Sequence, residues 1–287
     1  MDNKGLNTKQ LGNLFGVDGS TVRRWALSGK IKCSTSAGGH RKFSYKNIIK
    51  FSQDQGIKIK RDANISQLNI KRLCSEAVES ALINDFKSIE SLLVKLYLNS
   101  VPLPDIMDNY VENILVMIQH KLDKNIITVA EEHIARKIVS QALNNFKQSI
   151  SNENSDNNNS NILCLNLEND IPDLPIDMIG ILLENINYNV YNCGSHTSIK
   201  DIRKLLSVKK YEAIFIYLCD RQCCTSTLID HIEKTNKDLA EIAEMGEKYK
   251  IKLYLGGPYF KNINKKTLKK FHTFNKYSEV LSINKKN

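Results

Sequence analysis

The chain has 287 residues and a formal net charge of +10, and 41% of its residues are hydrophobic. It has enough apolar residues to bury cores, and at this length a chain usually divides into two or three domains. No apolar run approaches the roughly 20 residues of a membrane span, and the seven cysteines are an odd number with no signal peptide before them, so we expect a reducing, cytoplasmic location.

The positive charge is concentrated at the two ends of the chain. Residues 1–62 carry 13 Lys/Arg against 4 Asp/Glu, and residues 263–287 carry 7 against 1, which leaves −5 for the residues between them. A basic head on an acidic body predicts a polyanionic partner for the head. General solubility is the alternative explanation, but it fits a uniform charge better than a segregated one.

The head, residues 1–62, begins with two predicted short helices. Asn7 or Thr8 can cap the first, which runs to about residue 15, and Gly16 ends it. The second helix is predicted over about residues 19–27. A glycine turn between two short helices is typical of helix-turn-helix DNA-binding proteins.

The second helix and the segment after it have side chains suited to DNA. Short polar residues near a helix start can approach base edges, and cations beside them can hold phosphates or reach guanine. Gly38 and Gly39 then predict the turn of a basic hairpin that can follow the DNA backbone. The candidate DNA-binding residues are Ser20, Thr21, Arg23, Arg24, His40, Arg41 and Lys42.

The segment STVRRWALSGKIKCSTSAGGHRKFS resembles the winged-helix head of MerR-type transcription regulators. Their pattern is a helix ending in Trp, a Gly, and a wing of the form Gly-Gly-His-Arg-Lys/Arg-Tyr/Phe. The resemblance implies that Thr21, Arg23 and Arg24 enter the major groove and that Arg41 and Lys42 support backbone contacts from the wing.

A solvated basic face on an ordinary helical hairpin is the alternative for the head. It does not explain why two helices, a Gly-Gly wing and segregated charge occur together. Trp25 is the single tryptophan of the chain, and we expect it to pack in the core of the head rather than to touch DNA.

A glycine-free tract from about residue 65 to residue 150 predicts a four-helix bundle, with breaks at 99–104 and 123–125. Thr128 and Glu131 predict a cap for the last helix. Along that helix we expect an apolar stripe at steps of four, formed by Ala130, Ile134, Ile138, Ala142 and Phe146.

Residues 122–135, LDKNIITVAEEHIA, resemble the cap bundle that precedes the cobalamin-binding domain of methionine synthases and of light-sensing MerR-type repressors. The resemblance makes Glu132 and His133 candidates for the cofactor site. In those repressors a Trp ten residues before this pair covers the upper ligand of the cobalamin, and Leu122 holds that position here. A surface pair beside the stripe is the alternative for Glu132 and His133.

After a polar linker at 151–160, apolar strand patterns alternate with helical ones. The predicted strands are 161–167, 188–193, 211–218, 251–255 and 279–283. This alternation predicts a flavodoxin-like α/β domain with a parallel sheet, whose ligands bind at the carboxyl ends of the strands. The candidate lining is 168–175, 194–197, 220–225 and 256–259.

This layout resembles cobalamin-binding domains, whose signature after the first strand is Asp-x-His-x-x-Gly with a cobalt-ligating His. Asp170 matches the Asp, but Pro172 stands in place of the His and Pro175 in place of the Gly. Proline has no imidazole to coordinate a metal and no amide hydrogen. Gly256 and Gly257 match a Gly-Gly pair that lets the tail of the cofactor approach the backbone.

We therefore expect the cobalamin-binding fold without conventional His-ligated cobalamin, and no cofactor. The resemblance itself implies adenosylcobalamin, and a cofactor bound in another mode stays open. Cys219, Cys223, Cys224 and His231 do not have a standard zinc spacing, so no metal site is expected. No P-loop, nucleophile elbow or convincing acid pair is present, so we do not expect an enzyme.

These patterns predict a multidomain α+β protein. Its parts are a MerR-like winged helix-turn-helix head at 1–62, a helical bundle at 63–150, a linker at 151–160 and a cobalamin-binding-like domain at 161–287. In all three folded parts the chain resembles light-dependent carotenoid-gene repressors.

The predicted function is a sequence-specific transcription regulator that binds operator DNA as a homo-oligomer, with two heads on neighbouring half-sites. Its helical and α/β domains would control oligomerisation and DNA affinity. The alternatives are an adenosylcobalamin-dependent light-sensing repressor and a corrinoid-dependent methyl-transfer or isomerase component.

Overall fold

The computed structural model describes residues 5–57, 59, 69–151, 160–168, 174–219 and 231–284. The chain forms two compact units, Met1–Ser151 and Asn152–Asn287. The predicted boundary near Asp62 and the linker residues 152–159 lie outside the described residues. None of the described helices has the length and apolar character needed to cross a bilayer.

The first unit starts with three helices and a small antiparallel sheet of order β1-β3-β2. The elements are β1 Leu6–Asn7, α1 Thr8–Phe15, α2 Gly19–Leu27, β2 Ser34–Thr35, β3 Arg41–Phe43 and α3 Tyr45–Gln55. Asn7 is the cap of α1, since its side chain accepts from the Gln10 amide while the Gln10 side chain accepts from the Asn7 amide. Gly16 ends α1 with a φ of 68°, a conformation that glycine adopts without strain.

Aromatic rings from α1, α2 and α3 form much of the core of this segment. The Trp25 ring centroid lies 5.9 Å from that of Phe15 and 4.9 Å from that of Phe51. The Phe15 and Phe51 rings are edge to face at 5.6 Å, a favourable arrangement for aromatic pairs. Trp25 is half-buried and packs on these two core rings, which agrees with the packing that the sequence predicts.

Four longer helical segments follow and pack on one another. The elements are α4 Ile70–Leu82, α5 Phe86–Leu98, α6 Leu103–Ile106, α7 Glu112–Asp123 and α8 Val129–Ile150, with π-helical residues Met107–Val111 joining α6 to α7. The turn at 83–85 is not apparent from the sequence; Asn84 makes it possible by adopting a φ of 65°, which asparagine tolerates better than most residues. Thr128 and Glu131 form a capping box at the start of α8, as predicted.

The buried face of α8 differs from the predicted stripe, because Ala130 and Ile134 are exposed. A step of four residues advances about 40° around a helix, so five positions at that spacing drift over about 160°. The apolar residues that are buried recur instead at positions i, i+3, i+4, i+7 and i+8, which lie on one face of a helix. These residues are Ala135, Ile138, Val139, Ala142, Leu143, Phe146 and Ile150.

The second unit contains a five-stranded sheet of order β5-β4-β6-β7-β8, in which every strand pair is parallel. The elements are β4 Asn161–Leu165, α9 Leu174–Asn185, β5 Asn189–Asn192, α10 Ile199–Val208, β6 Ala213–Tyr217, α11 Ile232–Tyr249, β7 Lys252–Gly256, α12 Lys265–Leu268, β8 His272–Phe274 and α13 Tyr277–Val280. This confirms the predicted parallel sheet, and the strand order is that of flavodoxin-like folds.

The predicted fifth strand at 279–283 is wrong. The Glu279 carboxylate accepts hydrogen bonds from the amides of Asn275 and Lys276 and so caps α13. Val280 is buried within that helix. A short apolar run fits a helix as well as a strand, and the edge strand of the sheet is β8 instead.

The two faces of the sheet bury different cores, because successive side chains of a strand point to opposite faces. On one face Ile214, Ile216 and Leu255 join a cluster with α10 and α11. On the other face the Phe215 ring stacks on Tyr254 with centroids 4.4 Å apart. The second face thus has stacked aromatic rings at the middle of β6 and β7.

Candidate functional site

The predicted DNA-contacting residues lie on α2 and on the β2–β3 hairpin. Ser20, Arg23, Arg24 and His40 are exposed, and Thr21, Arg41 and Lys42 are half-buried. Val22 points inward and is fully buried, which leaves its polar neighbours on the surface of α2. The polar and cationic side chains are therefore placed where a ligand outside the head could reach them.

A cleft of about 810 Å³ lies between α2 and the hairpin. Arg23 lines it from α2, and His40, Arg41 and Lys42 line it from the hairpin. Four of the seven predicted residues are thus brought together in one concave surface. The other three, on α2, lie outside the lining of the cleft.

The start of α1 also lines the cleft and is absent from the predicted set. Asn7, Thr8 and Lys9 are part of the lining. They lie beside the hairpin because β1 pairs with β3, with Asn7 opposite Lys42. The charge of Lys9 is a signal that the sequence offers, but its position depends on a pairing between residues distant in the chain.

The cleft is rich in positive charge. Lys9, Arg23, Arg41 and Lys42 line it, against the single carboxylate of Asp18. Within the part of the chain that the structure describes, none of these four cations forms an ion pair. Cations that are not neutralised by neighbouring carboxylates can attract a polyanion.

The N-terminus of α2 adds to the anion-binding character of the cleft. Asp18 precedes α2, but its side chain makes no capping hydrogen bond. The first turn of a helix has amides without an intrahelical partner and carries a partial positive charge. Together with the four cations, this geometry suits phosphate groups.

The hairpin has a slim tip, as the glycines predict. Thr35 lies opposite Arg41 across the strands, and Gly39 has a φ of 75°. The Gly39 amide donates to the Ser36 carbonyl at 2.9 Å, and the His40 amide donates to Ser36 Oγ at 3.2 Å. These bonds fix the turn, and the glycines leave its tip free of bulky side chains.

The second group of candidates is divided between core and surface. Glu132 is fully buried, whereas the side chain of His133 is 48% exposed, so a surface pair is not what the structure shows. Arg136 Nε donates to Glu132 Oε1, and Arg136 Nη2 donates to Gln119 Oε1 on α7 at 3.3 Å. Leu122 is half-buried near the end of α7. Glu132 therefore forms a buried ion pair within α8 with Arg136, which is itself hydrogen-bonded to α7. His133 alone of the pair lies at the surface.

The remaining candidates are those that the sequence predicts at the carboxyl ends of the strands. Asp170, Pro172 and residues 220–225 lie outside the described residues. Glu168 forms an ion pair with Lys234 on α11, and the hydrogen bond from Lys234 lowers the pKa of the Glu168 carboxyl. Among the residues that the structure describes, no group of three His, Cys, Asp or Glu side chains is arranged to hold a metal.

Gly256 and Gly257 are both in close contact with other parts of the chain. A Cβ on Gly256 would overlap the Phe274 ring, and a Cβ on Gly257, which has a φ of 94°, would overlap the Leu218 carbonyl. Packing within the unit thus accounts for both glycines. The nucleotide tail of the corrinoid implied by the resemblance does not fit here, because the Phe274 ring fills the face of Gly256 that the tail would approach.

No protein-family model and no curated protein sequence matches the chain. Among solved structures, the monomethylamine corrinoid protein of Methanosarcina barkeri matches with a TM-score of 0.55 and 12% identity, over 74% of this chain and 97% of that chain. The match shows a shared fold. The matched 74% of the chain is longer than the second unit. The match therefore includes residues of the first unit.

Two further matches have lower TM-scores of 0.34. One is the methanol:cobalamin methyltransferase complex MtaBC of Methanosarcina barkeri, with 14% identity over 74% of this chain and 78% of that chain. The other is a cobalamin-binding protein of Desulfitobacterium hafniense DCB-2, with 13% identity over 73% of this chain and 96% of that chain.

Proposed function

We propose that the chain is a DNA-binding transcription regulator with a winged helix-turn-helix head. The observation that supports this most is the cleft between α2 and the basic hairpin, where none of the four lining cations forms an ion pair with another described residue. Phosphates of a DNA backbone are the polyanion that such a cleft between a helix and a hairpin would hold.

The two sides of the cleft would have different tasks. α2 would enter the major groove, where Ser20, Thr21, Arg23 and Arg24 can reach base edges. The hairpin would follow the phosphates with the side chains of His40, Arg41 and Lys42. Base contacts give sequence preference, whereas backbone contacts give affinity that falls with salt.

The helical segments would orient the head. α3 contacts α5 and α8. The Tyr45 side chain is hydrogen-bonded to Ser91, and the Gln53 side chain to Tyr97. Through such contacts the helical part can set the position of the head, and we propose that the helical and α/β parts control oligomerisation and DNA affinity without conventional His-ligated cobalamin.

The experiment starts with selection of duplexes from a random library by the full chain, followed by fluorescence anisotropy on the enriched sequence. Arg23→Ala is expected to weaken binding by about tenfold or more and to relax the sequence preference. Lys42→Ala is expected to weaken binding to all duplexes alike and to reduce the salt slope by about one.

The matched control is Lys137→Ala, which removes one exposed cation from α8 and should leave affinity within about twofold. Equal effects of the Arg23 and Lys137 variants would contradict the assignment of the head. Retention of adenosylcobalamin colour through gel filtration in the dark would instead favour the light-sensing repressor.

A corrinoid-dependent methyl-transfer or isomerase component is the second candidate. The fold shared with the corrinoid protein of Methanosarcina barkeri supports it. It offers no role for the basic cleft of the head. Absence of any DNA binding at low salt would favour this candidate over a regulator.

A further inference from the structure

We infer that the α/β unit fills, with its own aromatic side chains, the place that the resemblance assigns to the nucleotide tail of a corrinoid. A cobalamin would then gain no affinity from its tail. This inference goes beyond the proposed function, because DNA binding by the head does not depend on it.

First, three residues form a row across the carboxyl end of the sheet. Tyr217, Gly256 and Phe274 are the last residues of β6, β7 and β8, and they are paired in register across the three strands. Neighbours in register point to the same face of a sheet. The glycine is therefore flanked by two aromatic side chains on the face where a tail would approach it.

The second support is that the Phe274 ring is held in place. It is 3% exposed and occupies the space in which a Cβ of Gly256 would lie. The Phe215 ring centroid is 6.1 Å away, and Phe215 itself stacks on Tyr254. Because packed interiors contain few voids larger than a water molecule, a tail could enter only if this ring moved out.

The third support is the closure of the same face by α13. Tyr277, on α13, stacks on Tyr217 with centroids 6.2 Å apart and is 4% exposed. α13 also contacts α9. A bulky aromatic tail would thus have to displace α13 as well as Phe274.

The test compares aquocobalamin with diaquocobinamide, which has the same corrin ring but no nucleotide tail. Each is titrated into the full chain and followed by visible absorbance, with equilibrium dialysis as a second measurement. We expect the two affinities to agree within about twofold, or neither compound to bind. Cobalamin binding about tenfold or more tighter than cobinamide binding would overturn the inference.

A pair of variants tests whether Phe274 is the obstacle. Phe274→Ala opens space beside Gly256, whereas Phe271→Ala opens space in the core on the other face of the sheet. We expect the ratio of cobalamin to cobinamide affinity to rise about fivefold or more in the first variant only. Equal ratios in the two folded variants would overturn the assignment to Phe274, and if either fails to fold by circular dichroism, the wild-type ratio decides.

The outcome is separable from that of the proposed function. The head variants are scored by DNA binding, and the variants of the α/β unit are scored by corrinoid titration. A tail-dependent affinity would refute this inference and leave the DNA-binding proposal standing.

Discussion

The Trp25 ring on α2 lies 4.9 Å from the Phe51 ring on α3. The helix proposed to read DNA is thereby fixed to the helix that contacts α5 and α8. One face of α3 belongs to the core of the head, and its other contacts reach the helical segments. A displacement of those segments would be transmitted to α2 through α3.

Trp25→Ala is expected to lower the free energy of unfolding by about 3 kcal/mol, because it removes a large ring that packs on Phe15 and Phe51. Trp25→Phe retains most of the packing and should cost about half as much. Urea unfolding followed by circular dichroism measures both. A Trp25→Ala variant as stable as the wild type would show that this aromatic cluster does not hold the head together.

Arg136→Ala should destabilise the chain by about 3 kcal/mol, because it leaves the Glu132 carboxylate buried without its cation. The matched control is Arg203→Ala, which removes an arginine from an exposed ion pair with Glu241 and should change stability by about 0.5 kcal/mol or less. Thermal and urea unfolding give both values. Similar losses in the two variants would contradict a buried structural role for Glu132.

Gly256→Ala is expected to cost about 2 kcal/mol, since the new methyl group would overlap the Phe274 ring. Gly180→Ala is the control: its Cβ would meet Val190 at an ordinary 3.6 Å, and in a helix alanine is favoured over glycine by up to about 1 kcal/mol. The double variant with Phe274→Ala should cost less than the sum of its parts. Strict additivity would mean that Phe274 is not the obstacle.

Cys74 should react slowly with iodoacetamide. Burial raises the pKa of its thiol to about 11, and the thiolate is the reactive form. At pH 8 Cys74 is therefore protonated, and its labelling rate should rise up to about pH 11. Peptide mass spectrometry compares it with half-buried Cys33, and faster labelling of Cys74 at pH 8 would contradict its burial.

The raised pKa of the Cys74 thiol also predicts a loss of stability at high pH. The thiol pKa is raised from 9.0 to about 11 in the folded chain, so the folded state holds the proton more tightly. Its contribution to stability is full below pH 9.0 and is lost as pH rises toward 11. In the Cys74→Ala variant, the free energy of unfolding should therefore fall less between pH 9.0 and about 11 than it does in the wild type.

We propose that the chain binds DNA as a homo-oligomer with at least two chains on one duplex, because a single small head makes limited contact with an operator. Analytical ultracentrifugation of the chain, free and with a selected duplex, measures the stoichiometry. A strict monomer in both samples would contradict the two-head arrangement.

The elements that the sequence predicts best are those with strong local signals. Strands β4, β6 and β7 are apolar runs between helical stretches, and Thr128 with Glu131 is a local capping pattern. Strand β8 is missed because His272–Phe274 is short and has only one buried side chain. Its position depends on pairing with β7, which no local pattern records.

In the candidate sites too, features set by neighbouring residues could be predicted from the sequence, whereas features set by residues distant in the chain could not. The exposed cations of α2 follow from helical periodicity, but the contribution of Lys9 to the cleft requires the pairing of β1 with β3. A glycine requirement at Gly256 can be inferred from the sequence, yet its cause, the Phe274 ring, lies on another strand. The hydrogen bond from Arg136, the ion-pair partner of Glu132, to Gln119 likewise depends on α7 packing against α8.

Sequence-specific DNA binding is measured by the ratio of two affinities of the full chain, one for a duplex that it selects and one for the scrambled duplex. Both affinities are determined by fluorescence anisotropy at one physiological salt concentration. We predict a ratio of about 10³ or more, as is typical of specific DNA binding. A ratio near one, or no sequence enriched by selection, would contradict sequence-specific binding.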